Sequence, residues 1–336
     1  MTRQVKNIIA ITASLICIGL INNAGQNIDI EIRGMNAFTF ILITAVLIQI
    51  IFFIPSFILK TEKYYDLVGS LTYVTTVSLA YFAVENKTII DSIIYFYVIV
   101  WASRLGIYLF RRVRNDGKDV RFEKAKRHFF WFLQYWIGQA LWVALTACAA
   151  IIAILSPEDD TLPVLAMVGM ALWLSGFTIE SIADYQKRAF RKENNPSEAF
   201  IHTGLWARSR HPNYFGEITL WTGIAVIALN TLTGIEYITL ISPVFVYILL
   251  TRMSGVNMLE RIADERYGHL EEYQRYKRNT PVLVPNLLKN KLSKERSKAI
   301  KGFKDDVSAG KFPNSDHTVE MLPGEKDVLL ERLDSF

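Results

Sequence analysis

Long apolar runs alternate with short charged segments along most of the chain. A helix needs about 20 apolar residues to cross the hydrocarbon core of a bilayer. Runs that approach or exceed this length cover residues 7–23, 36–59, 65–84, 89–110, 129–155, 162–183, 213–230 and 235–252. Because the first and seventh runs are marginal in length, the pattern predicts an all-α fold, a polytopic membrane helical bundle of about 7–8 transmembrane helices.

The charges between these runs predict an orientation. Segment 111–128 carries eight Lys or Arg residues and segment 184–212 carries six, whereas segments 22–34 and 156–161 are acidic or nearly neutral. Cytoplasmic loops carry an excess of Lys and Arg, and with eight spans these segments alternate between the two sides. We therefore expect both termini in the cytosol, in the endoplasmic reticulum membrane of a eukaryote or the inner membrane of a bacterium.

The composition agrees with a membrane protein. Of 336 residues, 51% are hydrophobic and 12% aromatic, and the mean hydropathy is +0.22. Soluble domains of this size are more polar. The net charge of +5 collects in particular loops; we predict membrane lipid as a partner and no nucleic acid. Cys17 and Cys148 both lie in apolar runs, so no disulfide framework is expected, and no metal site is predicted.

Three parts of the chain differ in character. Residues 1–59 are expected to form N-terminal transmembrane helices. Residues 60–286 form a membrane domain with cytosolic loops at 111–128 and 184–212. Residues 287–336 are highly charged and poor in aromatic residues, which predicts a solvated, disordered cytosolic tail.

Several ionisable residues fall inside or at the edge of the predicted spans. A charge near the bilayer centre costs at least ~3 kcal/mol, so such a residue is a candidate for function. The candidates are Asp66, Arg104, Glu180, Asp184 and Glu217. For Arg104 and Asp66, an ion pair that only joins two helices is the open alternative.

A stripe of charge ends the sixth predicted span. Glu180, Asp184, Arg188 and Arg191 follow the spacing of one helical face, with carboxylates at the membrane edge and guanidinium groups toward the cytosol. This order favours a ligand that carries both phosphates and hydroxyl or amide donors. An ordinary interfacial helix end, which also collects Arg and Lys, is the alternative.

The stretch "RSRHPN" begins the seventh predicted span. Pro212 suits the first turn of a helix, whose free amides form an anion site that Arg210 and His211 would strengthen. Asn213 and Glu217 then share one helical face, one turn deeper. A nucleotide cofactor with its phosphates in the loop and its reactive ring in the membrane fits this layout. A lipid head group fits it less well, because Glu217 would oppose it.

Four ordered motifs carry a family resemblance: "ADYQKRAFRK", "TGLWARSRHPN", "RSRHPNYFGE" and "EYQRYKRNTPVLVP". Together they resemble the C-terminal domain of the steroid 5α-reductase family, in its DUF1295-like branch, over roughly residues 60–286. The resemblance implies a bundle of about seven spans that holds NADPH in a cytosol-facing cavity. A lipophilic small-molecule substrate would enter that cavity from the bilayer.

The resemblance also implies roles for individual residues. Asn213 and Glu217 match positions that grip the nicotinamide end, and Asp184, Arg188 and Arg191 match a helix that binds ribose and phosphate. With Tyr276 in the closing motif and the cations before the seventh span, the expected cofactor-binding residues are Asp184, Arg188, Arg191, Arg210, His211, Asn213, Glu217 and Tyr276.

The substrate half matches the family less closely. Asp66 falls where steroid reductases carry a glutamate that orients and protonates the substrate, which implies a catalytic role for Asp66. Trp101 stands where those enzymes have a tyrosine that donates to the steroid ketone, and Glu180 stands where they have an amide. An indole N–H donates hydrogen bonds but is no proton donor near neutral pH, so no 3-keto-4-ene steroid is predicted.

The predicted activity is reduction of a double bond or carbonyl of a lipophilic, steroid- or fatty-acyl-like substrate by NADPH. Asp66 would act as the acid, with Tyr64, Tyr65 and Tyr73 as nearby alternatives. Two other functions stay open. One is an S-adenosylmethionine-dependent methyltransferase of the isoprenylcysteine or lipid type, although that cofactor lacks phosphates for the arginines to bind. The other is a non-catalytic lipid-binding membrane protein with the same fold.

Overall fold

The computed structural model describes residues 1–116, 119, 121–156, 161–195, 199–253, 255–286, 301–303, 305 and 307–309. Within Met1–Pro285 these residues form an all-α bundle, which confirms the predicted fold class. The helices are α1 Arg3–Ile21, α2 Ala37–Ile58, α3 Tyr65–Ala83, α4 Ile89–Asp116, α5 Phe129–Leu155, α6 Val164–Glu193, α7 Pro212–Ala228, α8 Ile241–Ile248, α9 Val256–Tyr267 and α10 Glu271–Asn279.

Short elements connect these helices. Strands β1 Glu31–Ile32 and β2 Met35–Asn36 form an antiparallel hairpin between α1 and α2. Its turn needs two left-handed residues, Arg33 (φ 53°) and Gly34 (φ 75°). Turns of 3-10 helix cover Asn22–Gly25, Ala125–Arg127, Gly204–Ala207 and Gly234–Leu240, and a π-helical turn covers Leu249–Met253.

The helices follow the predicted spans closely. In the described part of the chain, six helical segments are long and apolar enough to cross a membrane. The 19-residue α3 and the 17-residue α7 form where spans were predicted but are not among the six. Helix α6 runs on to Glu193 rather than ending at residue 183. The eighth predicted span is divided into 3-10, α and π segments. The chain is an integral membrane protein.

Helix α5 forms the centre of the bundle, where it packs against α1, α2, α3 and α8. Its second half is rich in alanine, and every residue from 146 to 155 is buried. Small side chains let neighbouring helices approach closely in a membrane, where packing rather than the hydrophobic effect drives helix association. This arrangement leaves α4, α6 and α7 to enclose the candidate site.

Helices α6 and α7 make the most extensive contact in the bundle, across facing glycines. Gly169 and Gly176 on α6 face Gly216 and Gly223 on α7, with the same seven-residue spacing on each helix. A Cβ atom at Gly216 would lie 2.6 Å from both the Glu180 nitrogen and the Gly176 oxygen. The glycines therefore hold the backbone of Glu180 directly beside the start of α7.

Residues Asn286–Phe336 form a second compact unit. Residues 301–303, 305, 307 and 308 of this unit are helical. Most of the tail predicted at 287–336 lies outside the described residues. The three-part division of the chain stays a prediction.

Candidate functional site

A buried ion cluster joins α4 to α6. The Arg104 guanidinium donates from Nη1 to Asp184 Oδ2 at 3.0 Å and from Nη2 to Glu180 Oε1. Trp101, one turn before Arg104, donates from Nε1 to Glu180 Oε2 at 3.2 Å. Only 2% of Glu180 and 5% of Asp184 are exposed. Buried charged side chains are tolerated in proteins when they are paired and hydrogen-bonded. These contacts therefore explain how α6 can carry two buried carboxylates.

Helix α7 brings an amide and a third carboxylate to this cluster. Asn213 donates from Nδ2 to Asp184 Oδ1 at 3.3 Å. Glu217 lies one turn further along and is buried, close enough to interact electrostatically with Asp184 and Arg104. Its Oε1 atom accepts no hydrogen bond from any residue that the structure describes. Buried polar atoms without a partner are rare in proteins, and this oxygen is placed to accept from a donor on a ligand.

Three aromatic side chains border the cluster on the bundle interior. The Trp101 ring centroid lies 5.0 Å from those of both Tyr73 and Trp221, edge to face, and the Tyr73 and Trp221 centroids are 5.8 Å apart. Thr146 lies beside Tyr73, but neither hydroxyl has a hydrogen-bond partner of normal geometry among the described residues. The same holds for Trp221 Nε1. The aromatic triad thus offers apolar surface with unused donors.

A cavity of about 170 Å³ lies beyond the ion cluster, between the end of α6, the segment before α7, and helices α9 and α10. Its walls combine cations with aromatic rings. The cations are Lys187, Arg191, Arg210 and Arg266, and the aromatic residues are Phe190, Phe200, Trp206, Tyr267, Tyr273 and Tyr276. Such walls suit a ligand that carries both phosphate and a flat ring.

Backbone pairing positions the residues that precede α7. The amide of Arg210 donates to the Pro281 carbonyl at 2.9 Å, and the amide of His211 donates to the Val282 carbonyl at 3.1 Å. The two side chains share Glu260 of α9, which accepts from Arg210 Nη1 and contacts His211 Nε2 at 2.9 Å. An acid that lies far away in the sequence therefore partly compensates the charge of Arg210 and holds the His211 ring by a side-chain contact.

Burial sets the ionisation of two side chains in this wall. It lowers the pKa of His211, although Glu260 opposes the shift, so the imidazole is neutral near pH 7. Burial also raises the pKa of Tyr276, so its hydroxyl stays protonated and donates to the Trp206 carbonyl at 2.8 Å. Trp206 in turn donates from Nε1 to the Ala183 carbonyl at 3.1 Å. This chain of hydrogen bonds fixes the Tyr276 ring against α6.

Asp66 belongs to a different ion network. Its carboxylate lies 3.7 Å from Arg112 Nη2 and 3.5 Å from Arg121 Nη2, and Arg121 also binds Asp119 at 2.6 Å. Burial alone would raise the pKa of Asp119, but the hydrogen bonds and charge of Arg121 lower it. In the described part of the chain, no hydrogen bond or ion pair links Asp66 to the Arg104 cluster.

The structure divides the sequence-predicted residues into three groups. Asp184, Asn213 and Glu217 meet in the buried cluster, whereas Arg191, Arg210, His211 and Tyr276 line the outer cavity. Asp66 lies apart from both. Arg188 also lies apart: it is exposed, with its guanidinium 5.9 Å from the Tyr185 ring.

Several residues of the site are not among those predicted from the sequence. Lys187 lines the cavity on the same face of α6 as Asp184 and Arg191, a relationship that the i, i+3, i+7 spacing could have revealed. Trp221 shares a face of α7 with Asn213 and Glu217, so its i+4 spacing from Glu217 could also have revealed it. Glu260 carries no local signal, because only the tertiary fold brings it to the site.

The amino-acid sequence is similar to one protein family and to several curated proteins. The sequence model of a family described as "Protein of unknown function (DUF1295)" matches residues 52–280, more than half of the chain. Over 122 residues the chain is 29% identical to 3-oxo-5-alpha-steroid 4-dehydrogenase 1 of Mus musculus and 28% identical to that of Rattus norvegicus. Each alignment covers 36% of this chain and 42% of the relative. Over 121 residues it is 25% identical to the Macaca fascicularis protein of the same name, with 36% and 41% covered.

The chain thus matches less than half the length of these curated relatives. No solved structure matches it.

Proposed function

Since the chain belongs to the DUF1295 family and shares sequence with steroid dehydrogenases, we propose that it is a membrane-embedded oxidoreductase that uses NADPH. The substrate would be a lipophilic, steroid- or fatty-acyl-like molecule with a reducible double bond or carbonyl. The observation that carries this proposal is the unpartnered Oε1 of Glu217, a buried carboxylate oxygen near both the Arg104 ion cluster and the aromatic triad.

The residues present fit a dinucleotide. Arg191 and Glu180 are eleven positions apart on α6, about 16 Å along a helix that rises 1.5 Å per residue. Lys187, Arg191 and Arg210 in the outer cavity would hold phosphate groups. Asn213 and Glu217 would hold the carboxamide of the nicotinamide, whose N–H donors suit the free oxygen of Glu217. NADPH, when bound there, supplies a hydride.

A proton donor must complete the reduction, and two residues are candidates for the acid. Asp66 is paired with two guanidinium groups, so in the proposal it helps to orient the substrate. Tyr73 has a buried hydroxyl without a partner of normal geometry among the described residues, and its ring faces Trp101. We assign Tyr73 as the donor to the substrate oxygen, in place of the family tyrosine that Trp101 replaces.

The membrane setting of the proposal follows from the charges. The basic loops and N-terminus support a topology with both termini in the cytosol by the positive-inside rule, and the cofactor would then enter from the cytosol. Substrate would enter from the bilayer. The membrane would be the endoplasmic reticulum in a eukaryotic host and the inner membrane in a bacterial one.

Ligand-induced stabilisation of the detergent-purified protein tests the proposal. A ligand that binds only the folded state stabilises it by about 2.7 kcal/mol at 100 times its Kd. We expect NADPH to raise the midpoint of thermal unfolding. Glu217→Gln should weaken NADPH binding about 10-fold, because a neutral amide oxygen accepts a hydrogen bond about 1.5 kcal/mol less strongly than a carboxylate oxygen does. The matched control Glu85→Gln, at an exposed residue, should bind normally.

The other ligands distinguish the alternatives. Stabilisation by S-adenosylmethionine but not NADPH would make the protein a methyltransferase, for which the phosphate-binding cations of the outer cavity have no role. Stabilisation by neither cofactor would leave a lipid-binding function without catalysis. Equal NADPH binding by wild type and Glu217→Gln would remove Glu217 from the cofactor site.

A further inference from the structure

A second cavity lies at the end of the bundle where α1 and α5 begin. It has a volume of about 380 Å³ and is lined by Arg3 of α1, by Trp131 of α5, and by Glu123, Lys124, Arg127 and His128 of the segment that leads into α5. None of these residues belongs to the proposed cofactor site. We propose that this cavity binds the phosphate head group of an anionic glycerophospholipid.

The charges of the cavity select an anion. Arg3, Lys124 and Arg127 supply three positive charges against one acid, Glu123, and His128 adds a ring nitrogen that can donate a hydrogen bond. Within the described part of the chain, Arg3, Lys124 and Arg127 form no ion pair with a carboxylate. All three are exposed, so their donors are accessible to a ligand.

Trp131 holds one of these cations in place. The Arg3 guanidinium lies 4.6 Å from the centroid of the Trp131 ring. A guanidinium that stacks on an aromatic face keeps its N–H donors at the edge, and those donors match the geometry of a phosphate group. The stacked pair therefore preorganises a phosphate contact at the wall of the cavity.

The position of the cavity favours a lipid over a soluble anion. Arg3 is the first residue of α1 and Trp131 is the third residue of α5, both membrane-spanning helices. Tryptophan is enriched at the head-group level of membranes, and basic pockets between transmembrane helices on the cytoplasmic side bind anionic head groups. Exposed apolar side chains lie close by in the sequence: Ile8 and Ile9 follow Arg3 along α1, and Phe129 begins α5 two residues before Trp131. These side chains would contact the acyl chains.

Native mass spectrometry and thermal unfolding of the full-length protein test this site. The protein would be placed in micelles with phosphatidylglycerol, with phosphatidylcholine, or with soluble glycerol phosphate. We expect a phosphatidylglycerol adduct that resists displacement by phosphatidylcholine and raises the unfolding midpoint. The double variant Arg3→Gln/Arg127→Gln should weaken that binding on the order of 25-fold, since each cation near a membrane surface contributes about fivefold to binding.

Two matched variants make the result specific. Lys63→Gln/Lys192→Gln removes the same charge from exposed positions outside the cavity and should bind phosphatidylglycerol as wild type does. Arg3→Lys/Arg127→Lys keeps both charges and should retain most of the binding, which guards against a folding defect in the glutamine variant. Equal losses in both glutamine variants would overturn the site in favour of diffuse surface attraction. Equal stabilisation by glycerol phosphate would overturn the lipid assignment, and the absence of any phosphatidylglycerol adduct would overturn the proposal itself.

Discussion

Trp101 of α4 donates a hydrogen bond to Glu180 of α6, with 3.2 Å between Nε1 and Oε2. By the family resemblance, Trp101 and Glu180 stand where steroid reductases carry a tyrosine and an amide, and the fold brings the two residues together. An indole N–H can only donate, and a carboxylate can only accept. Each replacement therefore supplies the hydrogen-bond partner that the other needs.

Trp101→Phe is predicted to destabilise the protein, because it leaves Glu180 Oε2 without this donor. Loss of a hydrogen bond to a charged group costs about 1.5–3 kcal/mol beyond the cost of the smaller ring. The free energy of unfolding in detergent measures the effect. Trp173→Phe is the matched control: Trp173 is equally buried and stacks on Tyr97 at 3.9 Å, and no hydrogen bond to a carboxylate is lost. Equal destabilisation by both substitutions would mean that the indole contact with Glu180 contributes nothing.

Tyr73→Phe and Tyr65→Phe are predicted to change stability differently, although both remove one buried hydroxyl. The Tyr65 hydroxyl donates to the Tyr135 carbonyl at 2.9 Å, so its removal should cost about 0.5–1.5 kcal/mol. The Tyr73 hydroxyl is buried without a partner of normal geometry among the described residues, so its removal should be neutral or stabilising. Chemical denaturation of both variants measures the difference.

The same pair also separates stability from activity. If Tyr73 is the proton donor, Tyr73→Phe should lose about 100-fold or more of the rate of substrate reduction, while NADPH binding and stability are kept. A Tyr73→Phe variant that unfolds as readily as Tyr65→Phe would show that the Tyr73 hydroxyl has a structural partner, and the assignment as donor would lose its basis.

Gly216→Ala is predicted to separate α6 from α7. The added methyl group would lie 2.6 Å from backbone atoms of Glu180 and Gly176, and a backbone cannot move away as a side chain can. Overpacking of this kind costs about 1–3 kcal/mol, and NADPH binding should weaken with it because Glu217 follows Gly216 directly. Gly138→Ala on α5 is the control: apart from its chain neighbours and the backbone of its own helix, nothing lies within 4 Å of its added Cβ, so it should be neutral or stabilising by up to about 1 kcal/mol.

Stability near the start of α7 is predicted to fall in mild acid through His211. Burial holds the folded-state pKa of His211 below its ordinary value, with Glu260, Arg210 and Lys187 as the charged groups that face it. As the pH falls, the unfolded state therefore binds the proton first. The contribution of His211 is fully present above about pH 6.5 and is lost as the pH falls from there through the lower folded-state value.

Thermal unfolding between about pH 7.5 and about pH 5.5 would measure this dependence. His211→Gln should flatten the curve, whereas His269→Gln, at an exposed residue, should keep the wild-type slope. An unchanged slope in His211→Gln would assign the acid sensitivity to another group.

Helix positions were the most predictable feature of this chain. Apolar runs of membrane-spanning length can satisfy their backbone hydrogen bonds only as helices. The apolar run at residues 129–155 therefore predicted both ends of α5 correctly. Helix ends were less predictable where charged residues continue a helix beyond the apolar run, as at the end of α6. The cluster of Asp184, Asn213 and Glu217 could also be predicted from the sequence. Helical spacing and the family resemblance both indicated these faces of α6 and α7.

Contacts between distant segments could not be found in the same way. Nothing local to "RSRHPN" indicates that Glu260 contacts Arg210 and His211, since that contact spans about 50 residues and depends on how α9 packs. Likewise, the sequence placed Asp66 among the candidate catalytic groups, and only the fold showed its pairing with Arg112 and Arg121. The sequence by itself determined the membrane class, the helices and which residues are costly to bury. The tertiary structure decided which of those charges are neutralised by partners, because pairing depends on three-dimensional distance. Among the described residues near the ion cluster, it left Glu217 Oε1 and the Tyr73 hydroxyl with unused hydrogen-bonding capacity.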